Sequence, residues 1–234
     1  MKHSGFYSEN GFLILPDMTQ YEIEQVLKLV ETQYVSVVRE FCDSSVHPLF
    51  DYARNPPKLE HQRVWSKTNR LLPESAVKTV ESLEFVDQIR KCMGDFQVTD
   101  EENIGFGNVY FRLARPGRHE DVGPPHADSW FWEISGKSTG TRFKVWIPLW
   151  PTVGSPAFRF VPSSHLFKDK FRYEVVSKHG LQKPQIVKEI PEDLYHFHGS
   201  RSGVPILFHD DLIHGGVVLN EDLRISIEFT GHIK

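Results

Sequence analysis

The chain has 234 residues, 39% hydrophobic and 25% charged, with a formal net charge of −4. That is the profile of a soluble globular protein long enough to bury a full core in one large domain. The mild acidity gives no electrostatic reason to expect nucleic acid or an anionic membrane as a partner. No apolar run is long enough to span a bilayer, and Met1–Phe6 lacks the apolar stretch of a signal peptide, so a cytoplasmic location is expected. Cys42 and Cys92 have no metal-like spacing and read as free thiols, with a single disulfide as the alternative.

In chain order, the apolar run Gly11–Pro16 is predicted to be a buried strand closed by proline. Asp17 or Thr19 can then cap a helix over about 19–42, where Ile23, Val26, Leu27, Val30, Tyr34, Val37, Val38 and Phe41 recur at spacings of three and four. Residues 43–60, with Pro48, Pro56 and Pro57, read as a surface loop. A second helical region is predicted over 73–94, from Pro73 to Gly94. After residue 104 the texture changes to short runs rich in Val, Ile, Phe and Trp between Gly, Pro and Asn turns. The predicted strands are 107–115, 126–134, 142–150, 156–162, 170–176, 185–190, 204–213 and 223–231. Strands after a helical start predict a mainly β fold with flanking α-helices, a double-sheet jelly roll of the cupin-like kind. Nothing repeats and no linker divides the chain, so 1–234 is read as one domain, with 1–104 mostly helical and 105–234 the jelly-roll core.

The chemistry concentrates in Pro124-Pro125-His126-Ala127-Asp128 and, 86 residues beyond Asp128, in His209-Asp210-Asp211-Leu212-Ile213-His214. Two imidazoles and one carboxylate form the facial set that holds Fe(II) and leaves coordination positions open. If 126–134 is a strand, His126 and Asp128 point to one face. An isolated His-x-Asp is more often a core histidine and a turn acid; the distal His214 and the arginine beyond it change that weighting. Ten residues after His214 stands Arg224, in the alternating run Leu223–Phe229. An inward Arg there needs a fixed anion, and its planar guanidinium suits a carboxylate such as the distal one of 2-oxoglutarate. Ser226 shares the face of Arg224 and adds a hydroxyl. The bland alternative is a surface arginine on an edge strand.

With these residues in place, the sequence resembles the phytanoyl-CoA dioxygenase-type branch of the Fe(II)/2-oxoglutarate-dependent oxygenases. The likeness runs from Gly11–Pro16 through Lys144–Leu149, Phe160–His165 and the Gly203–Phe208 approach to His214, nearly the whole chain. The resemblance implies a double-stranded β-helix core and Fe(II) on His126, Asp128 and His214. It also implies 2-oxoglutarate anchored by Arg224 and consumed with O2 to give succinate and CO2, and hydroxylation of an unactivated carbon. By the same resemblance, Trp146 and Asn108 lie beside the co-substrate. Many relatives carry a serine two residues past the distal histidine; here that position is Gly216. Relatives that halogenate lack the acid, so Asp128 argues against halogenation.

The substrate is less clear from the residues. Arg112, Arg115, Arg118 and His119 form either a solvated loop or a basic mouth favouring an anionic metabolite. Trp130 is a candidate pocket wall, His165 either a site residue or a loop cap, and Arg70 and Lys67 candidates to close over the mouth. His196, His198 and His209 suggest a second metal set on paper, with His209 better read as packing or as support for the first. Within the oxygenase reading, hydroxylation leads over desaturation, cyclisation or epimerisation. Two further readings compete: a non-oxidative cupin-like metal hydrolase or isomerase, and a jelly-roll binding module without catalysis.

Overall fold

The computed structural model describes residues 7–41, 46–54, 61–136, 140–151, 156–178, 181–199 and 201–233. Cys42 and much of the 43–60 loop lie outside these residues; within them, Cys92 is a free thiol. Among the described residues no helix is long and apolar enough to cross a membrane.

Helix α1, Gln20–Phe41, buries Ile23, Val26, Val30, Tyr34, Val37 and Val38 on the face its periodicity predicts. Its cap is Thr19, not Asp17. Thr19 N and Oγ1 both donate to Glu22 Oε2 at 2.9 Å, and Glu22 N donates back to Thr19 Oγ1 at 3.2 Å, a capping box. Asp17 instead pairs with Arg201 at 2.7 Å. The helical region predicted over 73–94 consists of two helices, α2 (Glu74–Glu81) and α3 (Glu84–Met93), separated where Leu83 adopts an extended backbone. The break is fixed from outside the segment: buried Glu22 accepts Phe85 N on its Oε1 at 2.9 Å, capping α3 as well as its own helix.

Eleven strands are found among the described residues. They are β1 (Phe12–Ile14), β2 (Phe96–Val98), β3 (Val109–Ala114), β4 (Arg142–Trp150), β5 (Pro156–Phe160), β6 (Tyr173–Lys178), β7 (Leu181–Ile186), β8 (His196–Gly199), β9 (Ile206–His209), β10 (His214–Gly216) and β11 (Arg224–Ile233). The major sheet runs β1-β9-β4-β11-β2, with β3 also on β11; a second sheet is β10-β5-β8, and β6-β7 form a hairpin. This is the jelly roll expected, with the helices on the outer face of the major sheet.

Strand alternation divides the core. Phe143, Val145, Ile147, Ile225, Ile227, Phe229, Phe111 and Leu113 pack outward against the helices. The alternate positions face the barrel interior, where Trp146, Ile206 and Phe208 meet Phe158 and Phe160 of the second sheet. Lys144, Arg112, Arg224, Ser226, Glu228 and Thr230 are among the other inward positions of β4, β3 and β11. An apolar outer face and a polar interior mark the inside of the barrel as the place for chemistry.

One predicted strand is wrong. Residues 126–134 are not a strand: His126 makes an isolated bridge to His214, and Asp128–Ser135 is a helix, α4. Aromatic residues at 130–132 favour β structure locally. Asp128 in the first turn and left-handed Gly136 at the end supply the competing helix signals. The strand predicted over 204–213 is likewise interrupted after His209, so His214 begins a new strand in the other sheet.

Candidate metal centre

The two halves of the motif are brought together by backbone pairing. His126 N donates to His214 O, and His214 N to His126 O, each at 2.9 Å, so the two histidines sit directly opposite one another. Ala127 is extended, with φ −104° and ψ 139°, before α4 starts. Three residues of extended chain suffice for the i, i+2 relation, so His126 and Asp128 converge although no strand continues past them.

Each imidazole is locked by its second nitrogen. The Nδ1 atoms of His126 and His214 lie 2.8 Å and 2.9 Å from the carbonyls of Pro124 and Leu212. A carbonyl only accepts, so Nδ1 carries the proton in both rings and the Nε2 lone pairs are turned inward. Those Nε2 atoms lie 3.6 Å and 3.8 Å from the two Asp128 oxygens, too far for hydrogen bonds. One ligand atom from each of the three residues falls within 4.8 Å of the others. Metal–ligand distances of about 2.0–2.2 Å imply neighbouring ligand atoms roughly 3 Å apart, so a small contraction suits a divalent ion.

The electrostatics agree with this donor set. Burial lowers His214 to about 4, keeping it a neutral imidazole at physiological pH. Burial alone would raise Asp128, but the Lys144 ammonium and the two imidazoles outweigh it and hold the carboxyl far below its usual range. Asp128 Oδ2 is buried with no hydrogen-bond partner. An ionised, unsatisfied carboxylate between two inward-facing imidazole nitrogens fits a hard divalent cation.

Arg224 lies on the same side of the barrel. It is 3% exposed, and its Nη1 donates to the carbonyls of Ala157 at 2.6 Å and Val217 at 3.2 Å. Its guanidinium lies over the Trp146 ring, 5.9 Å from the centroid, and Trp146 in turn stacks on Phe158. Burial and neighbouring Arg112 lower it to about 10, which still leaves it cationic at neutral pH. Arg224 Nε and the buried Ser226 hydroxyl have no hydrogen-bond partner. A Cβ on Gly216 would sit 3.3 Å from Arg224 Nη1, so the guanidinium lies against the residue two beyond His214 on β10. Two residues of strand rise about 7 Å, comparable to the length of an extended five-carbon dicarboxylate.

No sequence-family model matches the chain, and no curated protein matches it. Solved structures do. The non-heme monooxygenase ThoJ in its apo form aligns at TM-score 0.61 and 15% identity, over 97% of this chain and 75% of that one. EvdO2 from Micromonospora carbonacea var. aurantiaca gives 0.59 and 13%, over 98% and 89%. SnoK, a non-heme alpha-ketoglutarate-dependent carbocyclase from nogalamycin biosynthesis, gives 0.57 and 16%, over 99% and 83%. The fold is the jelly roll of non-heme oxygenases.

The structure distributes the other candidates differently. Asn108 is fully buried but serves its own loop: its Oδ1 accepts Glu102 N at 2.8 Å and its Nδ2 donates to Phe106 O at 3.0 Å. Trp130 is 2% exposed and stacks on Tyr173 in a small core with Ala127, Val161, Ile190 and Ile213, on the far side of α4 from Asp128. It does not share the ligand face, because the chain has turned helical there. His165 ties down the N-terminal segment through Nε2 to Ser8 O at 2.8 Å.

The arginine cluster disperses. Arg115 forks onto Asp121 at 2.8 Å, Arg118 is exposed beside Glu120, and only Arg112 points into the barrel, paired with Glu228 at 2.5 Å. Arg70 does approach that pair from the helical segment, with Nε donating to Trp65 O at 3.1 Å, while Lys67 is held by Glu101 and Glu102. His196, His198 and His209 do not assemble: among the described residues only His126, Asp128 and His214 group as metal donors. His209 Nδ1 accepts Asp211 N at 3.0 Å instead.

Sequence reasoning missed Lys144, whose ammonium donates to Thr230 Oγ1 at 3.2 Å and is the strongest influence lowering Asp128. The signal was available: Lys144 is in phase with Trp146 on β4. It also missed Asp210, raised to about 7 by burial and by the Asp128 carboxylate, with Trp132 Nε1 donating to it at 3.2 Å.

Proposed function

We propose that the protein is an Fe(II)- and 2-oxoglutarate-dependent oxygenase of the phytanoyl-CoA dioxygenase type, hydroxylating an unactivated carbon of a small soluble metabolite. The observation that carries the reading is the pairing of two separate sites at a fixed interval. Two imidazoles and an ionised carboxylate lie two strand residues from a buried guanidinium with an unsatisfied Nε. His126, Asp128 and His214 would hold the iron, which when bound supplies activation of dioxygen coupled to decarboxylation of the co-substrate to succinate and CO2.

The chain's own groups do the rest. Arg224 Nε and Ser226 Oγ would receive the distal carboxylate of 2-oxoglutarate, while Trp146 walls its carbon chain. The carbonyls of Pro124 and Leu212 keep the imidazole lone pairs aimed at the metal. Lys144 keeps Asp128 ionised. The Phe158 and Phe208 rings, centred 5.5 Å and 4.5 Å from the His214 ring, exclude water from that side. A metal hydrolase, isomerase or binding module has no use for a carboxylate receptor at this distance.

The test is anaerobic addition of Fe(II) and 2-oxoglutarate to the purified protein. A weak visible charge-transfer band is expected, absent in His126→Ala. Failure of wild type to bind 2-oxoglutarate in the presence of metal would sink the proposal.

A further inference from the structure

Strand β4 provides a ruler through the barrel, because Arg142, Lys144 and Trp146 occupy successive inward positions. Trp146 lies beneath the Arg224 guanidinium, and Lys144 is the group that acts on Asp128. Arg142 therefore lies on the side of the metal set away from Arg224, and there the structure has a cavity of about 310 Å³. That is the low end for a small-molecule site. Its walls are the segments that carry the metal donors. Ser129, Trp132 and Glu133 come after Asp128 along α4, with Trp132 one helical turn from the ligand on the same face. Asp210 and Asp211 come from the turn before His214; Ser129 N donates to Asp210 O at 3.0 Å, closing the two segments together.

The lining is polar and balanced in charge. Lys168 reaches in from the loop after β5 and is shared among Asp211 at 2.7 Å, Glu133 at 2.9 Å and Ser129 Oγ at 3.1 Å. Arg142 lies over the indole of Trp132, 4.6 Å from its centroid. These two cations, set against Glu133 and Asp211, leave no surplus positive charge for a phosphate, and walls this polar do not suit an acyl chain. Donors and acceptors alternating around an indole suit vicinal hydroxyl groups, which both donate and accept.

We infer that this cavity receives the primary substrate, and that the substrate is a neutral, hydroxyl-rich molecule of sugar-like character. The inference rests on the oxygenase reading for the reaction that comes after binding, but the binding itself is separately measurable. Saturation-transfer NMR on the full chain loaded with Zn(II) would use methyl α-D-glucopyranoside and myo-inositol as neutral probes, with glucose 6-phosphate and hexanoate as charged and acyl comparisons. The neutral probes are expected to bind, to weaken by about tenfold or more in Lys168→Met and in Trp132→Ala, and to be unaffected by Arg118→Met at an exposed position outside both sites. Lys168→Met keeps the test valid if Trp132→Ala fails to fold, since Lys168 is a side chain of a surface loop. No binding of either neutral probe, preference for the phosphate or the acyl chain, or neutral binding indifferent to Lys168→Met each overturns the inference. If those results come from protein that still binds 2-oxoglutarate through Arg224, only the substrate class is lost. If 2-oxoglutarate fails to bind while the polyols bind as expected, the oxygenase reading is lost and the cavity assignment stands.

Discussion

Replacing Arg224 by lysine separates charge from geometry at the proposed co-substrate anchor. Arg224 spends Nη1 on the Ala157 and Val217 carbonyls and keeps Nε without a partner. A lysine keeps the positive charge, but its single ammonium must serve those two carbonyls and the ligand together, so one charge-assisted hydrogen bond is forfeited. Such a bond is worth roughly 1.5–3 kcal/mol, which predicts 2-oxoglutarate binding weaker by about 10- to 150-fold. Arg224→Met should lose more, and by leaving the Val217 carbonyl unpaired, while Ala157 O keeps the Val217 amide, it should also cost about 1–3 kcal/mol of stability. Calorimetric titration of 2-oxoglutarate into protein saturated with Mn(II) reads the affinity, and a parallel metal titration should be unchanged in both variants. If Arg224→Lys binds 2-oxoglutarate as tightly as wild type while His126→Ala loses the metal, the guanidinium is a packing device.

Three further predictions concern the frame. Glu22→Ala removes its half of the capping box on α1 and the cap of α3 at once; at about 1–2 kcal/mol in all, the melting temperature should fall by roughly 2–8 °C, read by calorimetry. Burial lowers His61 to about 4, so the folded chain keeps it neutral at pH values where the unfolded chain binds a proton. Its contribution is therefore complete above about pH 6.5 and is lost as pH falls toward about 4, by up to about 3 kcal/mol, a slope that denaturant titrations should find flattened in His61→Gln. Gly11 has φ of +78°, and a Cβ there would collide with the His165 ring and Leu212. Gly11→Ala should cost at least about 1–2 kcal/mol by chemical denaturation, and an unchanged midpoint would show that the N-terminal segment can move aside.

What the sequence revealed was whatever depends on phase and local chemistry. The face of α1 follows from spacing, and the limits of β4 match the predicted 142–150 because a β-rich run lies between turn residues. The convergence of His126 and Asp128 was also legible, since it needs only extended chain at Ala127. What stayed hidden was set by distant partners. The break between α2 and α3 depends on Glu22, far away in the chain. The helix after Asp128 prevailed over three aromatic residues because Trp130 gains a buried place against Tyr173. The arginine cluster looked like one feature, yet β3 turns Arg112 inward while Asp121 and Glu120 claim its neighbours. For the same reason the candidate substrate residues shifted from Trp130 and His165 to Trp132 and Lys168, which meet only in three dimensions.

The reciprocal backbone bonds between His126 and His214 bear on how the centre is assembled. The two imidazoles are spaced by polypeptide, as any pair of opposed residues is, and not by whatever ion they hold. An ion can then leave and return without the chain refolding, and closed-shell or redox-active divalent ions of similar radius meet the same preset donors. Occupancy becomes a matter of supply, following the affinity order for imidazole and carboxylate sites. Protein isolated from copper- or zinc-rich medium would therefore carry those ions in place of the proposed iron, with the same fold and a melting temperature that reports which ion is bound.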